Sequence, residues 1–373
     1  MIPIAKPYIG PEEQAAVADV LASGILALGP RVREFEQAFA AYVQSAAGGV
    51  ACSSGTSGLC AAASVLDLPP GSKILTTPFS FIATANSIRY AGYTPVFADI
   101  DADTFMVSAE TIREALDRDP AIRAIILVHL YGQPCEVHEI MELARARGVI
   151  VIEDCAQAHG AEEFGVPVGG IGDLGIFSFY PTKNMMTGEG GMITGSNRTL
   201  LDRCRLYIDH GAPARYQHTT EGYNYRMTSI HAAIGLCQLD RLPGWNDARR
   251  RNAHALSSAL RDVPGLTTPY ERPQCTHVYH QYVLKVQHRD ALVAHLTAAG
   301  VGTAVHYPRT IPDQPFYRDQ GYIGSACPIA CRMADEVLSL PVHPAVSPAD
   351  VQTIIDAVRS FTPTATPVAV GVG

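Results

Sequence analysis

The chain has 373 residues, with 28 Lys and Arg against 36 Asp and Glu, and its formal net charge is −8. This acidic balance argues against a nucleic-acid-binding protein, which needs a surplus of basic residues on one face. Hydrophobic residues make up 47% and charged residues 17%, which is a globular rather than a disordered composition. No apolar run reaches the ~18–20 residues that cross a bilayer, and the N-terminus does not have the pattern of a secretory signal. The sequence predicts a cytoplasmic protein without nucleic-acid or membrane partners.

The nine cysteines are scattered along the chain. An odd number cannot pair completely within one chain, and we interpret the cysteines as reduced thiols. The one close pair, Cys327 and Cys331, has no second pair and no histidines at ligand spacing nearby. The sequence therefore predicts no metal site.

Helical and strand patterns alternate over the first ~240 residues. One helix starts at Gly10-Pro11 and stops at Gly24, and a second carries Val32, Phe35 and Phe39 at helical spacing. The predicted buried strands are 73–77, 95–98, 122–129, 149–153 and 174–179, with helices such as 80–90 and 137–147 between them. This alternation predicts an α/β fold with a mostly parallel central sheet and flanking helices.

The pattern changes near Trp245. A polar helix over 246–260, a strand over 278–286 and helices over 290–299 and 348–360 predict a smaller α+β domain. We therefore divide the chain into a large domain over 1–242 and a small C-terminal domain over 243–373. The last residues, 362–373, have neither charge nor periodicity and are predicted to be loose.

Three polar segments follow predicted strands or start helices. An open parallel sheet binds its ligands beyond the carboxyl ends of its strands, so these segments are expected to converge there. Gly55, Thr56 and Ser57 begin a helix of small residues, either as an anion site or as an ordinary helix cap. Asp154 ends a buried strand, either as a partner for a cationic ligand ring or as the cap of the next helix. Lys183 lies on a turn before a Gly-rich segment, either as a Schiff-base nucleophile or as a surface lysine. Together the three match the phosphate, pyridine nitrogen and aldehyde of pyridoxal 5'-phosphate (PLP).

At this point the sequence resembles the DegT family of sugar-nucleotide aminotransferases, which are fold-type I PLP enzymes. The resemblance covers nearly the whole chain. The motifs that carry it are IPIAKPYIG, SSGTSGL, TTPFSFIATANSI, VIEDCAQAHGA, SFYPTKNMMTGEGG, GYNYRMTSIHAAIGLCQL and LSLPVHPAVS.

The resemblance implies a role for each matching residue. Lys183 would bond to the cofactor aldehyde, Asp154 would pair with the pyridine nitrogen, and Gln157 would lie near the phenolic oxygen. Phe81 would stack on the ring, and Asn224 would reach the phosphate of the neighbouring subunit in a homodimer with shared active sites. The residues implied to hold the phosphate from within the chain are Gly55, Thr56, Ser57 and Ser178. The candidates for substrate binding are Tyr180, His210, Arg226, His306 and Tyr307.

The implied reaction moves an amino group from L-glutamate to a keto-sugar nucleotide, expected to be a 4-keto-6-deoxyhexose, for polysaccharide or antibiotic biosynthesis. A 3-keto sugar, a cyclitol ketone, a PLP-dependent lyase reaction and a non-catalytic regulatory protein remain alternatives. The intact Lys183 favours amino transfer, because relatives with His at this position act as dehydratases. Pro312 stands where many relatives have a second His, which leaves the specificity of the sugar pocket open. Cys155 replaces a more common Ala or Ser.

Overall fold

A computed structural model describes residues 1–362 of the chain. Its centre is a seven-stranded sheet in the order β1-β9-β8-β5-β4-β2-β3. The strands of this sheet are β1 (Val50–Cys52), β2 (Lys73–Thr76), β3 (Thr94–Phe97), β4 (Ile122–Val128), β5 (Ile150–Asp154), β8 (Leu174–Ser178) and β9 (Gly191–Thr194). Only β9 runs against its neighbours, and the other pairs in the sheet are parallel. The predicted fold class is confirmed, and all five predicted strands are present within two residues at each end.

Helices cover this sheet and continue into the C-terminal part. They are α1 (Pro11–Ser23), α2 (Pro30–Tyr42), α3 (Gly55–Ser64), α4 (Ala83–Tyr90), α5 (Ala109–Arg118), α6 (Val137–Arg147), α7 (Arg198–Tyr207), α8 (Ser229–Leu260), α9 (Arg289–Ala298), α10 (Pro315–Asp319), α11 (Pro328–Glu336) and α12 (Pro348–Arg359). The helix predicted over 80–90 starts three residues late, at Ala83, because Ser80–Ile82 form an irregular turn after β2.

Alternate residues of each central strand pack into different cores. In β4, Ile125 and Leu127 join the cluster on one face of the sheet, whereas Ala124 and Ile126 join the cluster on the other. This period of two is the geometry of a strand buried on both faces. It explains why the strands appear in the sequence as continuous apolar runs.

The long helix α8 joins the two parts of the chain. Its 32 residues continue through Pro243, so the boundary predicted after residue 242 falls inside one helix. Leu242 packs in a core of the large sheet, whereas Leu256 and Leu260 pack in the C-terminal core. Both cores therefore use one helix, which is why no linker is visible in the sequence.

The C-terminal part contains a three-stranded sheet, in the order β10 (Leu266–Thr267), β12 (Tyr282–Val286) and β13 (Val337–Leu340). Strand β12 is shorter than the predicted 278–286, because Tyr279 has a φ of +43° and turns the chain out of the extended conformation. The N-terminus also joins this part, since Ile2 pairs with Val301. A third small sheet contains β6 (Glu162–Glu163), β7 (Val166–Pro167) and β11 (Cys275–Thr276).

Two further sequence predictions concern particular parts of the chain. All nine cysteines are free thiols, as the odd count indicated. No helix within the described residues is long and apolar enough to span a membrane. The prediction of a loose end over 362–373 lies outside the described residues, except for Thr362.

Candidate active site

A cavity of about 630 Å³ lies at the carboxyl ends of β5 and β8 and beside the first turn of α3. Register explains why these ends meet. Asp154 at the end of β5 pairs with Ile176 of β8, and Ser178 at the end of β8 pairs with Gly191 of β9. The predicted site residues that border the cavity are Gly55, Thr56, Phe81, Asp154, Gln157, Ser178, Tyr180, Lys183, His306 and Tyr307.

The first turn of α3 is held by a reciprocal cap. The Ser57 amide donates to Ser54 Oγ at 3.0 Å, and the Ser54 amide donates to Ser57 Oγ at 3.0 Å. The buried Ser57 therefore serves the helix cap, and its amide is not free as the sequence had suggested. Thr56 is exposed towards the cavity, where the positive end of the helix favours an anion.

Close packing fixes this helix start against the sheet. A Cβ atom on Gly55 would lie 2.7 Å from Ser178 Cβ, and a Cβ on Gly191 would lie 2.5 Å from the Ser54 carbonyl oxygen. Both positions therefore need glycine for close approach. Thr56 and the Ser178 side chain consequently border the same end of the cavity.

Asp154 is a buried carboxylate, with 5% of its surface exposed. Its Oδ2 accepts a hydrogen bond from Thr84 Oγ1 at 2.8 Å, and its Oδ1 accepts one from the Ala156 amide at 3.2 Å. Burial raises the pKa of Asp154 above its ordinary value, although these bonds and the charge of Lys183 act in the opposite direction. Each oxygen keeps acceptor capacity, so the group suits a cationic ring nitrogen in the cavity.

The neighbouring carboxylate, Glu153, has a different role because successive strand residues face opposite sides of the sheet. Glu153 accepts hydrogen bonds from the amides of Gly169, Ile171 and Gly172, at 2.6 to 3.1 Å. Its Oε2 also lies 3.0 Å from His129 Nε2. Glu153 therefore fixes the loop before β8.

Lys183 lies on a rigid turn. Its amide donates to the Tyr180 carbonyl at 2.9 Å, and the adjacent Asn184 donates to Asn246 Oδ1 at 2.9 Å and to the Val278 carbonyl at 3.1 Å. Burial lowers the pKa of the Lys183 amine to about 8, against the opposing charge of Asp154. Its Nζ makes no hydrogen bond within residues 1–362. The geometry thus supplies a partly neutral amine, which is the form that attacks an aldehyde.

A side-chain network forms the wall opposite α3. Gln157 accepts from the Tyr131 amide at 2.7 Å and donates to Tyr307 Oη at 3.1 Å. Tyr131 Oη donates to the His306 carbonyl. Burial and the charge of Lys183 lower the pKa of His306 to about 4, so its ring is neutral at pH 7. The network fixes both His306 and Tyr307 at the cavity.

Besides the buried Ser57, three predicted residues do not border this cavity. Arg226 forms an ion pair with Asp209 at 2.6 Å, and the His210 carbonyl accepts from His218 Nδ1. Asn224 is exposed and pairs through its backbone with Asp209. These three residues lie close together beyond α7, so their predicted roles would need a second subunit.

The cavity also has borders that the sequence analysis missed. Thr84 carries the hydroxyl that orients Asp154, and His280 reaches the site from the C-terminal part of the chain. The other residues of this set are Ser54, Leu59, Ser80, Ala83, Val128, Ala156, Thr182, Glu189 and Gln281. Thr84 lies within the TTPFSFIATANSI motif, but only the folded chain brings it to its partner Asp154 at the end of β5.

The residues present fit PLP. A tight helix start, a buried carboxylate with acceptor capacity and an amine without a hydrogen bond within residues 1–362 border one cavity. These are the kinds of group that the phosphate, pyridine nitrogen and aldehyde need. The functional role of each residue stays a prediction.

Comparison with known proteins agrees with this geometry. Residues 7–359 match the model of the DegT/DnrJ/EryC1/StrS aminotransferase family. The chain belongs to this family. The predictions of the family, of an aminotransferase and of PLP as the cofactor are thereby confirmed.

Similar proteins include enzymes named for amino sugars. The chain is 36% identical to a UDP-N-acetyl-3-dehydro-α-D-glucosamine 3-aminotransferase of Acidithiobacillus ferrooxidans, over 92% of each chain. It is 34% identical to a dTDP-3-amino-3,4,6-trideoxy-α-D-glucose transaminase of Streptomyces venezuelae, over 94% of this chain and 92% of that one. A solved structure is similar to this chain as well. It is the crystal structure of S. venezuelae DesV in complex with a ketimine intermediate, and its comparison with this chain gives a TM-score of 0.90 at 34% identity, with 93% of each chain covered.

Proposed function

We propose that this enzyme transfers the amino group of L-glutamate to a keto-sugar nucleotide and so makes an amino sugar. The observation that carries the proposal is that the amine of Lys183 and the carboxylate of Asp154 border one cavity of about 630 Å³. This volume lies within the range of pockets that hold cofactors and drug-sized ligands.

The wall of the cavity supports a sugar as the second substrate. Phe81 and Tyr180 are 57% and 48% exposed at its edge, which leaves aromatic faces for a sugar ring or a base. Neutral His306 and the Tyr307 hydroxyl offer hydrogen-bonding groups beside them. The chain is acidic, so an anionic nucleotide would be bound by local donors rather than by net charge.

The keto group that receives nitrogen is proposed to be at carbon 3. Both amino-sugar relatives are named for a nitrogen at carbon 3. The sequence alone favoured a 4-keto sugar and kept a 3-keto sugar as an alternative, so this proposal exchanges the two. The nucleotide is left open, because one relative is named for a UDP sugar and the other for a dTDP sugar.

The residues have separate tasks in amino transfer. PLP, when bound, supplies an aldehyde that bonds to amines and a ring that accepts the electron pair left by a departing proton. Asp154 holds a proton on the ring nitrogen through a charge-assisted hydrogen bond, worth roughly 1.5–3 kcal/mol. The Lys183 amine would accept the proton from the donor's α-carbon and return it to the carbon on the other side of the donor's nitrogen, as a general base and then a general acid. Thr84 and Ala156 keep the carboxylate oriented towards the cavity.

The experiment that tests the proposal is a panel of ketones incubated with the holoenzyme and L-glutamate. We expect 2-oxoglutarate to form with 3-keto-sugar nucleotides, and more slowly with 4-keto-6-deoxy sugar nucleotides. Preference for the 4-keto sugars would reverse the assignment of the carbon. Reaction only with cyclitol ketones, or consumption of an amino acid without any ketone, would contradict the sugar-nucleotide proposal.

The lowered pKa of Lys183 leads to a pH prediction. A protonated amine cannot attack an aldehyde, so the rate at which apoprotein incorporates PLP should rise with pH and level off above about pH 8. An ordinary lysine would keep gaining reactivity towards pH 10. Stopped-flow absorbance between pH 6 and pH 10 measures this rate, and a continued rise above pH 9 would show that burial does not lower this pKa.

We also propose a homodimer with shared sites. Exposed Asn224 lies outside its own chain's cavity, which leaves it free to complete the site of a partner. Stacked Tyr223 and Tyr225, with centroids 5.1 Å apart, flank it as aromatic residues often do at interfaces. The apolar segment 230–239 of α8 adds no support for the dimer at Leu239, because this side chain is buried within the chain.

Hybrid dimers test the shared site. Lys183→Ala and Asn224→Ala proteins, each inactive or strongly impaired, are dissociated, mixed and reassociated. If Asn224 serves the partner's site, one site of each hybrid collects both changes and the other is intact, so activity returns. The control mixes Lys183→Ala with Asp154→Asn protein, whose changes fall in separate sites and should not complement. An active monomer in sedimentation, or no recovery in the first mixture, would contradict the proposal.

A further inference from the structure

A second cavity, of about 200 Å³, reaches Lys183 from the side of the N-terminal segment. Its borders include the exposed residues Lys6, Pro7 and Tyr8, and the buried residues Asn184 and Arg249. Lys183 borders both this cavity and the larger one. The two cavities therefore share one residue, Lys183, and the residues that fit PLP border the larger one.

Arg249 is a buried cation without a carboxylate partner. It is 6% exposed, and its Nη1 donates to the carbonyl oxygens of Tyr279 and His280 at 3.2 and 3.3 Å. Its Nε is buried and has no hydrogen-bond partner, and no Asp or Glu within residues 1–362 forms an ion pair with it. Burial lowers the pKa of Arg249 to about 10, which still leaves it charged at pH 7. An uncompensated buried charge lowers stability unless a bound anion balances it.

Two other borders of the cavity add to this character. Lys6 forms no ion pair within the described residues, so a second cation stands at the exposed side. Trp245 supplies an apolar wall from the same helix as Arg249. The cavity thus combines two cations with an apolar surface, which suits carboxylates joined by a short aliphatic chain.

We infer that this cavity binds the carboxylate groups of the amino donor, with Arg249 as the buried anchor and Lys6 at the outer side. The inference rests on the proposed function in one respect, since the donor's amine must reach Lys183. The cavity is smaller than the ~300–1,000 Å³ of pockets that hold drug-sized ligands, so a sugar nucleotide does not compete for it. With one carboxylate at Arg249 and the other at Lys6, the cavity would select dicarboxylic amino acids over neutral ones.

Trp245 is the single tryptophan of the chain, so its fluorescence reports on this cavity. The probe is glutarate, which has the two carboxylates of the donor but no amino group to react. We expect glutarate to change the fluorescence of the holoenzyme saturably. Arg249→Gln should weaken this binding by about 10- to 100-fold, as for the loss of a charge-assisted hydrogen bond, and Lys6→Gln should weaken it less.

The matched control is Arg250→Gln, because Arg250 is the next residue of α8, lies 3.7 Å from Glu271 and does not border the cavity. Its affinity for glutarate should equal that of the unchanged protein. If Arg249→Gln does not fold, Arg249→Lys keeps the charge but loses the guanidinium fork, and should still weaken binding. Unchanged glutarate affinity in the Arg249 variants, or no saturable signal in the unchanged protein, would overturn the inference.

Steady-state kinetics separate this inference from the proposed function. We expect Arg249→Gln to raise KM for glutamate while KM for the keto-sugar nucleotide stays within about twofold. Normal KM for glutamate in a variant that still aminates keto sugars would overturn the donor site and leave the proposed function intact. Loss of glutarate binding in an enzyme that aminates no keto sugar would support the donor site and contradict the sugar substrate.

Discussion

Replacing Lys183 with alanine is expected to lower turnover by about 10⁴-fold or more, because both a covalent attachment point and a general acid–base are lost. The variant should also lack the yellow colour of an aldehyde bonded to lysine, and borohydride should no longer fix the cofactor on the chain. The chain has four lysines, so peptide mapping can identify the one that carries the cofactor. Lys73 pairs with Asp119 at 2.6 Å and Lys285 pairs with Asp103 at 2.7 Å, so neither offers a free amine.

Lys73→Ala is the matched control for this experiment. It removes a lysine whose partner is at the surface, and a surface pair contributes at most about 1 kcal/mol. Its turnover and its colour should be those of the unchanged protein. An adduct mapped to Lys6, Lys73 or Lys285 would contradict the assignment of Lys183.

The Asp154→Asn variant should lose roughly 10²- to 10³-fold in turnover, as when one electrostatic partner is removed from a preorganised site. The amide cannot hold a positive charge on the ring nitrogen, so the ring accepts electrons less well. Steady-state turnover of the PLP-loaded variant measures this loss. Asp119→Asn, at a surface pair, is the control and should leave turnover unchanged.

The stability of the Asp154→Asn variant distinguishes a partner of the ring nitrogen from a helix cap. Burial raises the folded-state pKa of Asp154, so its stabilising effect is present below the pKa of the unfolded chain and is lost as pH rises. At pH values above the pKa of the unfolded chain, Asp154 therefore costs stability in the apoprotein, and Asp154→Asn should melt at an equal or higher temperature. The Thr84 hydroxyl can rotate to serve either an oxygen or an amide nitrogen. If Asp154→Asn instead lowers the free energy of unfolding by about 0.5–2 kcal/mol and keeps near-normal turnover, Asp154 is a helix cap.

Much of the fold could be predicted from the sequence. Mainly apolar runs of four to eight residues between helical patterns predicted the parallel strands, since a strand buried on both faces is apolar on both. Strands β1 and β9 were not predicted. Each is short, and β9 follows a Gly-rich segment with no alternation to mark it. Their pairing depends on partners far away in the sequence.

The sequence also determined which chemical groups the candidate site contains. Lys183, Asp154 and Thr56 lie next to turns or strand ends, where local sequence already restricts the backbone, and a family resemblance links them. Only the tertiary structure determines the pKa values and hydrogen bonds of those groups, and which other residues border the site. Burial of Lys183, the bond from Thr84 to Asp154, and the burial of Arg249 without an ion pair inside residues 1–362 all depend on contacts between elements distant in the chain. Desolvation and hydrogen-bond geometry act through space, so a linear pattern of residues does not contain them.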